Sequence, residues 1–179
     1  MKFHILSFFL IIKLIKSSIT SSVISEDCKK LNIFLKNSQE INYCNNGFCN
    51  TNGKINKLNF KKKCFPNESC IEIRDKIDFS TFPVFQELEE LTINFVEINS
   101  LPKVFFELPK LNTLNVTNSD IFEIVDSIEL NTSIERLILS NNKIQSLPYQ
   151  LKNITNLTFL DLSNNEISGS ITEEIVQFH

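Results

Sequence analysis

Histidine and glycine are scarce in this sequence of 179 residues, and tryptophan is absent. The two histidines are His4 and the last residue, His179, so the interior lacks the base of a Ser-His-Asp triad and the commonest zinc ligand. The three glycines, Gly47, Gly53 and Gly169, match neither spacing of the phosphate-binding loops that hold nucleotides. We therefore expect no catalytic residue, no metal ion and no cofactor.

The sequence also has no excess of positive charge, with 18 lysines and arginines against 21 acidic residues. The formal net charge is -3, which does not favour nucleic acid as a partner. One local group of lysines, predicted to be a solvated face, consists of Lys54, Lys57, Lys61, Lys62 and Lys63.

The sequence has no uninterrupted apolar run of the roughly 20 residues that a membrane-spanning helix needs. Its amino terminus carries Lys2, an apolar stretch over 5–12 and small polar residues over 17–22. Lys13 and Lys16 follow the apolar stretch and prevent it from extending further. This order is typical of a secretory signal peptide, with an uncleaved anchor as the alternative. We predict a signal peptide over residues 1–22, no transmembrane helix in the mature chain, and a secreted or extracellular-surface location.

Cysteine is confined to the first 70 residues. An exported chain permits disulfides, and the pairs Cys44/Cys49 and Cys64/Cys70 are close enough to close small loops, which leaves Cys28 unmatched. The connectivity stays open at this stage. A zinc site is the alternative, but the spacings are not Cys-x-x-Cys and no histidine is near.

Sequons for N-linked glycosylation fit a secretory route. They begin at Asn67, Asn115, Asn131, Asn153 and Asn156.

A repeat of 23 residues dominates the second half of the chain. Four aliphatic segments occur at that interval: Leu88-x-x-Leu91-x-Ile93, Leu111-x-x-Leu114-x-Val116, Ile134-x-x-Leu137-x-Leu139 and Leu157-x-x-Leu160-x-Leu162. Residues two apart point to one face of a strand, so each unit is predicted to be a short strand plus a return. One turn cannot bury its inner face alone, and stacked turns form a solenoid with a parallel sheet along one side.

The repeat boundaries divide the chain. We predict a cysteine-containing amino-terminal cap and first strand over 23–64, an irregular repeat over 65–87, and regular units over 88–110, 111–133, 134–156 and 157–179. The phenylalanines of the irregular repeat and the first regular unit are predicted to be core: Phe79, Phe82, Phe85, Phe105 and Phe106.

Two asparagines follow the strands of the last two units, at Asn142 and Asn165. A buried amide there can satisfy backbone groups of adjacent turns. The first two units carry Val96 and Ser119 instead, so we expect an incomplete asparagine ladder and less regular amino-terminal units.

These residues resemble the leucine-rich repeat family. The segment 157–171, with Ser168-Gly169-Ser170-Ile171 after its strand, resembles the plant-type repeat. Residues 44–60 are similar to the plant-type amino-terminal cap, although they lack its tryptophan and have a shorter cysteine spacing. The resemblance implies an α/β-type solenoid, a right-handed superhelix with a parallel concave sheet and an irregular or short-helical convex side, as in secreted or receptor-like ectodomains.

The same resemblance implies partner binding on the concave sheet. The best candidate contact residues are the exposed apolar side chains Ile138 and Phe159, flanked by Arg136 and Asp161. A glycan at Asn115 would hinder a large partner at the first two units, and we expect it to shift binding toward Ile138 and Phe159, or to an edge or the convex side.

The leading hypothesis is thus a secreted or cell-surface module that binds a protein, with a cell-wall glycan (a polysaccharide) or a peptide as other ligands. An intracellular scaffold or adaptor with reduced cysteines is the alternative. Catalysis would require a carboxylate pair, for which Glu89, Glu90 and Asp161 are the nearest set, and we expect no enzyme activity. The last unit has no capping segment after it. We expect a fragment of a longer receptor-like protein, with a dimer through the open end or tolerance of that end by a short degenerate protein as the alternatives.

Overall fold

The computed structural model describes residues 24–36, 41–124, 128, 132–147 and 149–168. The predicted signal peptide, the sequon at Asn131 and the end of the fourth regular unit therefore lie outside the described residues. Within them, no helix combines the length and the apolar character that crossing a membrane requires.

A single α-helix, α1 (Glu26–Phe34), opens the described part of the chain. Its amino-terminal cap is Ser25, whose hydroxyl oxygen accepts a hydrogen bond from the Cys28 N–H at 3.2 Å. The buried Asp27 carboxylate accepts from the Ile55 N–H at 3.1 Å. A polar group buried without a partner would be costly, so this bond fixes α1 against the segment that leads into the first strand.

Eight strands follow: β1 (Lys57–Lys61), β2 (Ile71–Glu72), β3 (Glu90–Asn94), β4 (Ser100–Leu101), β5 (Thr113–Thr117), β6 (Glu123–Ile124), β7 (Arg136–Ile138) and β8 (Phe159–Asp161). Six form one sheet in the order β2-β1-β3-β5-β7-β8, and every pair in it is parallel. Leu91, Leu114, Leu137 and Leu160 are partners in successive strands. The 23-residue repeat thus sets the register of the sheet, as predicted.

Within the described residues, the returns of the units consist of short 3₁₀ helices, two-residue strands and irregular segments. β4 and β6 form a separate two-stranded parallel sheet. Short 3₁₀ helices occupy Tyr43–Asn46, Phe79–Thr81, Lys103–Phe105 and Tyr149–Asn153. A parallel sheet on one side and such returns on the other confirm the predicted solenoid.

The core lies between the main sheet and these returns. The aliphatic residues Leu91, Ile93, Leu114 and Leu137 are fully buried. Every phenylalanine predicted to be core is buried, and a continuous group of edge-to-face or stacked rings contains Phe34, Phe60, Phe79, Phe82, Phe85 and Phe105. The rings fill the region between α1, β1 and the first returns, on the amino-terminal side of the regular repeats.

The predicted asparagine ladder is present. The Asn142 amide oxygen accepts from the N–H groups of Ser119 (3.0 Å) and Ile121 (3.2 Å), and its nitrogen donates to the carbonyls of Val116 (2.8 Å) and Leu139 (2.9 Å). Asn165 makes the equivalent contacts one turn later, with the Ile144 N–H and the Leu139 and Leu162 carbonyls.

The expected irregularity of the amino-terminal units is wrong for the sheet. β1, β3 and β5 have five residues each, whereas β7 and β8 have three. Backbone hydrogen bonds between the last two turns nevertheless continue beyond these short strands, since the Leu139 N–H donates to the Asp161 carbonyl at 2.8 Å and the Asn141 N–H to the Ser163 carbonyl at 2.9 Å.

Candidate binding face

The side chains of the main sheet that point away from the core form a surface that we call the open face. Adjacent strands place its residues in two columns that run across the sheet. The first column is Lys57, Glu90, Thr113, Arg136 and Phe159, and the second is Asn59, Thr92, Asn115, Ile138 and Asp161. The parallel register thereby brings together the four predicted contact residues, with Arg136 opposite Phe159 and Ile138 opposite Asp161.

Arg136 and Phe159 contact each other directly. The guanidinium carbon lies 4.2 Å from the centroid of the Phe159 ring. A cation–π pair at an exposed site contributes about 0.5–1 kcal/mol. The ring remains 41% exposed, so the pair orders both side chains while leaving apolar surface available to a partner.

Asp161 is held as a carboxylate. Its Oδ1 atom accepts from the Ser163 hydroxyl at 2.7 Å and from the Ser163 backbone N–H at 3.0 Å. These two hydrogen bonds, with a smaller contribution from Ser140, lower the pKa of Asp161 below its ordinary value. The contact patch, meaning Arg136, Ile138, Phe159 and Asp161, thus presents a fixed anion beside an aromatic ring and a cation.

At the amino-terminal end of the open face, the side chains of β1 form ion pairs and a hydrogen bond with other parts of the chain. Lys57 pairs with Glu90 at 2.6 Å, and Lys61 pairs with Glu68 in the loop closed by a disulfide. The Asn59 amide nitrogen donates to the Ser69 carbonyl at 3.2 Å, which draws the same loop toward β1. Two members of the predicted lysine face are therefore engaged in ion pairs.

Both predicted small-loop disulfides, Cys44–Cys49 and Cys64–Cys70, are present. Cys28 is a buried free thiol, and its sulfur lies within 4.8 Å of those of Cys44 and Cys49. Because two of the three sulfurs are bonded to each other, this group in its oxidised form does not offer the three thiolates of a metal site.

The described sequons have different surroundings. Asn67 is exposed in the Cys64–Cys70 loop. The amide nitrogens of Asn153 and Asn156 donate to the carbonyls of Ile128 (2.7 Å) and Thr132 (2.9 Å) in the preceding turn. N-linked glycosylation modifies the amide nitrogen of asparagine, so Asn67 is more accessible to modification than Asn153 and Asn156.

The sequon at Asn115 lies next to the predicted contact residues. Asn115 on β5 is the register partner of Ile138 on β7, and neighbouring strands lie only about 4.8 Å apart. The effect of a glycan at Asn115 on partner binding stays a prediction.

The two most exposed aromatic residues of the described part of the chain are not among the predicted contact residues. Phe95 follows β3 with a φ of 55° and is 60% exposed, and Phe65, in the Cys64–Cys70 loop, is 67% exposed. The sequence signal for Phe95 was its place in the column of outward residues that otherwise holds Asn118, Asn141 and Asn164.

Comparison with known proteins supports the repeat. Residues 132–173 match a family model described as leucine-rich repeats in two copies. A stretch of 63 residues, 35% of this chain, is 40% identical to Receptor-like protein 1 of Arabidopsis thaliana. A stretch of 74 residues, 40% of the chain, is 35% identical to Leucine-rich repeat serine/threonine-protein kinase 1 of Caenorhabditis elegans.

The matches span 6% and 3% of the lengths of those two proteins. The family model supports the repeat. The plant-type cap of residues 44–60 stays a prediction. Together with the parallel sheet in 23-residue register, the matches give this chain the leucine-rich repeat solenoid fold.

Proposed function

We propose that this chain is a secreted or cell-surface binding module that recognises a protein through the open face, with a plant-type cap at its amino terminus. The observation that carries the proposal is the contact patch. It combines an arginine stacked on a half-exposed phenylalanine with an aliphatic residue and a fixed carboxylate, all on adjacent rigid strands.

The composition of the contact patch supports a protein ligand over a polysaccharide or a short peptide. Aromatic residues and arginine are enriched among residues that dominate protein–protein binding energy. Here the curvature of a repeat solenoid makes the open face the concave one, which suits an extended partner. The similarity to a receptor-like protein supports an extracellular setting.

The proposed function is non-catalytic. Glu90 lies on β3 and Asp161 on β8, with β5 and β7 between them, so three strand spacings, about 14 Å in all, separate the two strands that carry these carboxylates. A glycosidase pair needs carboxyl groups about 5–9.5 Å apart. The lowered pKa of Asp161 also makes this group a poor proton donor near neutral pH.

Site-specific photo-crosslinking tests the proposal. The full chain, expressed through a secretory pathway, carries benzoylphenylalanine in place of Phe159 and is incubated with intact cells of the organism that encodes it. The matched control carries the same group in place of Phe122, which is 51% exposed and lies outside the main sheet. We expect a discrete crosslinked protein with the probe at 159 and none with the probe at 122.

A competition arm identifies the surface. Unlabelled wild type should suppress the crosslink, whereas the double variant Arg136→Ala/Ile138→Thr should not, and Thr92→Ala on the same face should behave as wild type. The proposal fails if probes at 159 and 122 give the same products, or if the double variant competes as well as wild type.

The similarity to a repeat-containing kinase favours a second candidate, an intracellular scaffold. Its cysteines would stay reduced. Peptide mapping without reduction, on protein from its native source, separates the two: a Cys44–Cys49 linkage supports the secreted module, and free thiols at both positions support the scaffold.

A further inference from the structure

We propose that Cys28, Cys44 and Cys49 form a thiol–disulfide exchange site, in which Cys44 alternates between Cys49 and Cys28 as its partner. In the second state Cys49 becomes a thiol that can react with another thiol-bearing molecule or an electrophile. The proposal rests on the oxidising setting of the proposed function.

Proximity is the first argument. The Cys28 sulfur lies 3.8 Å from the Cys44 sulfur, and all three sulfurs lie within 4.8 Å of one another. Cys28 is contributed by α1 and the other two by the segment around the 3₁₀ helix Tyr43–Asn46. The fold therefore brings an unpaired thiol from one element against a disulfide in another.

Asn42 positions the two sulfurs. Its amide oxygen accepts from the Cys28 thiol at 3.8 Å and from the Cys44 backbone N–H at 3.2 Å. One acceptor thus holds the attacking thiol beside the sulfur that it would attack. The thiol lies beside the disulfide, and the proposed attack requires the Cys28 side chain to rotate into line with the Cys44–Cys49 bond.

The exchange step needs no added oxidant. The Cys28 thiol loses its proton and the thiolate attacks the Cys44 sulfur, which forms the Cys28–Cys44 bond. The Cys44–Cys49 bond breaks, and Cys49 leaves as a thiolate that takes up a proton. One disulfide and one thiol are present before and after the step.

Exchange changes the accessibility of the free thiol. Cys28 is fully buried, whereas Cys49 is partly exposed and lies between Gly47 and the turn that begins at Thr51. Reactivity of a thiol follows its access to solvent. The free thiol is therefore buried, at Cys28, before the exchange and partly exposed, at Cys49, after it.

Differential alkylation tests this inference on the full chain. The folded protein is treated with N-ethylmaleimide, then unfolded and treated with iodoacetamide, and is digested without reduction. Chymotrypsin cleaves after Phe48, so Cys44 and Cys49 fall in separate peptides. We expect N-ethylmaleimide on Cys49, accumulating with time, together with a peptide that links Cys28 to Cys44.

Variants isolate the attacking thiol. Cys28→Ser should abolish labelling of Cys49, and the double variant Cys64→Ser/Cys70→Ser should leave that labelling unchanged. Cys49→Ser should contain the Cys28–Cys44 link, with circular dichroism used to verify that it folds.

The inference is overturned if wild-type protein keeps Cys44–Cys49 and takes only iodoacetamide, at Cys28, after unfolding. In that case the secreted binding module still stands. Protein from its native source with Cys44 and Cys49 both reduced would count against the exchange site and the proposed function together.

Discussion

At the scale of the residue, four positions that follow the strands share a left-handed backbone. Phe95, Asn118, Asn141 and Asn164 have φ values of 55°, 52°, 56° and 55°. Asparagine tolerates this region because its short polar side chain bonds locally, whereas other non-glycine residues lose roughly 1–2 kcal/mol there. Phe95 is the costly member, and its exposed ring recovers little of that energy through burial.

We therefore predict that Phe95→Asn stabilises the protein by about 1 kcal/mol, because asparagine relieves backbone strain without losing a core contact. Urea unfolding monitored by circular dichroism measures the change. Phe122→Asn is the matched control, since Phe122 is similarly exposed without a positive φ, and we expect little change in it. A lower stability of Phe95→Asn would mean that the ring packs against its surroundings in solution.

At the scale of the element, side-chain amides connect successive turns. Asn142 joins the turn after β5 to the turn after β7 through backbone groups of both. Asn153 and Asn156 make similar connections on the opposite side of the solenoid, to Ile128 and Thr132. The turns are thus held together by polar groups at both sides of the aliphatic core.

Asn142→Ala should lower the free energy of unfolding by about 3 kcal/mol, because several buried backbone groups lose their partner. Asn165→Ala should cost about 1 kcal/mol, since Asn165 is only partly buried and water can replace its amide. Asn142→Asp, which keeps the acceptor for Ser119 and Ile121 but turns a carboxylate oxygen toward the Val116 and Leu139 carbonyls, should cost at least as much as Asn142→Ala. Chemical denaturation of the three variants checks this order, and equal losses at 142 and 165 would contradict it.

At the scale of the whole molecule, the aliphatic period was enough to predict the parallel sheet, its register and the shared face of Arg136, Ile138, Phe159 and Asp161, because alternation along a strand fixes which side chains share a face. Spacing also indicated the two short-range cysteine pairs as candidates, although it left the connectivity open. Contacts between distant segments were not: nothing in the local pattern shows that Asp27 bonds Ile55 or that Cys28 meets Cys44. The backbone strain at Phe95 could not be predicted either, because the repeat pattern shows which face a residue lies on and not its φ angle.

The stacked architecture predicts how far the effect of a core substitution extends along the sheet. In a solenoid each turn contacts mainly its neighbours, so the effect of a core deletion should depend on its place in the sheet. Leu114 is fully buried on β5, between Leu91 and Leu137. Leu160 is partly buried on β8, the last strand of the sheet order.

Leu114→Ala should cost about 3 kcal/mol, and Leu160→Ala no more than about half of that. Hydrogen–deuterium exchange should show faster exchange through β3, β5 and β7 for Leu114→Ala, because all three strands lose support from one layer. For Leu160→Ala the faster exchange should stay within β7 and β8. If both variants instead accelerated exchange equally from β1 to β8, the described part of the chain would unfold as one cooperative unit, and nearest-neighbour coupling between turns would not govern its stability.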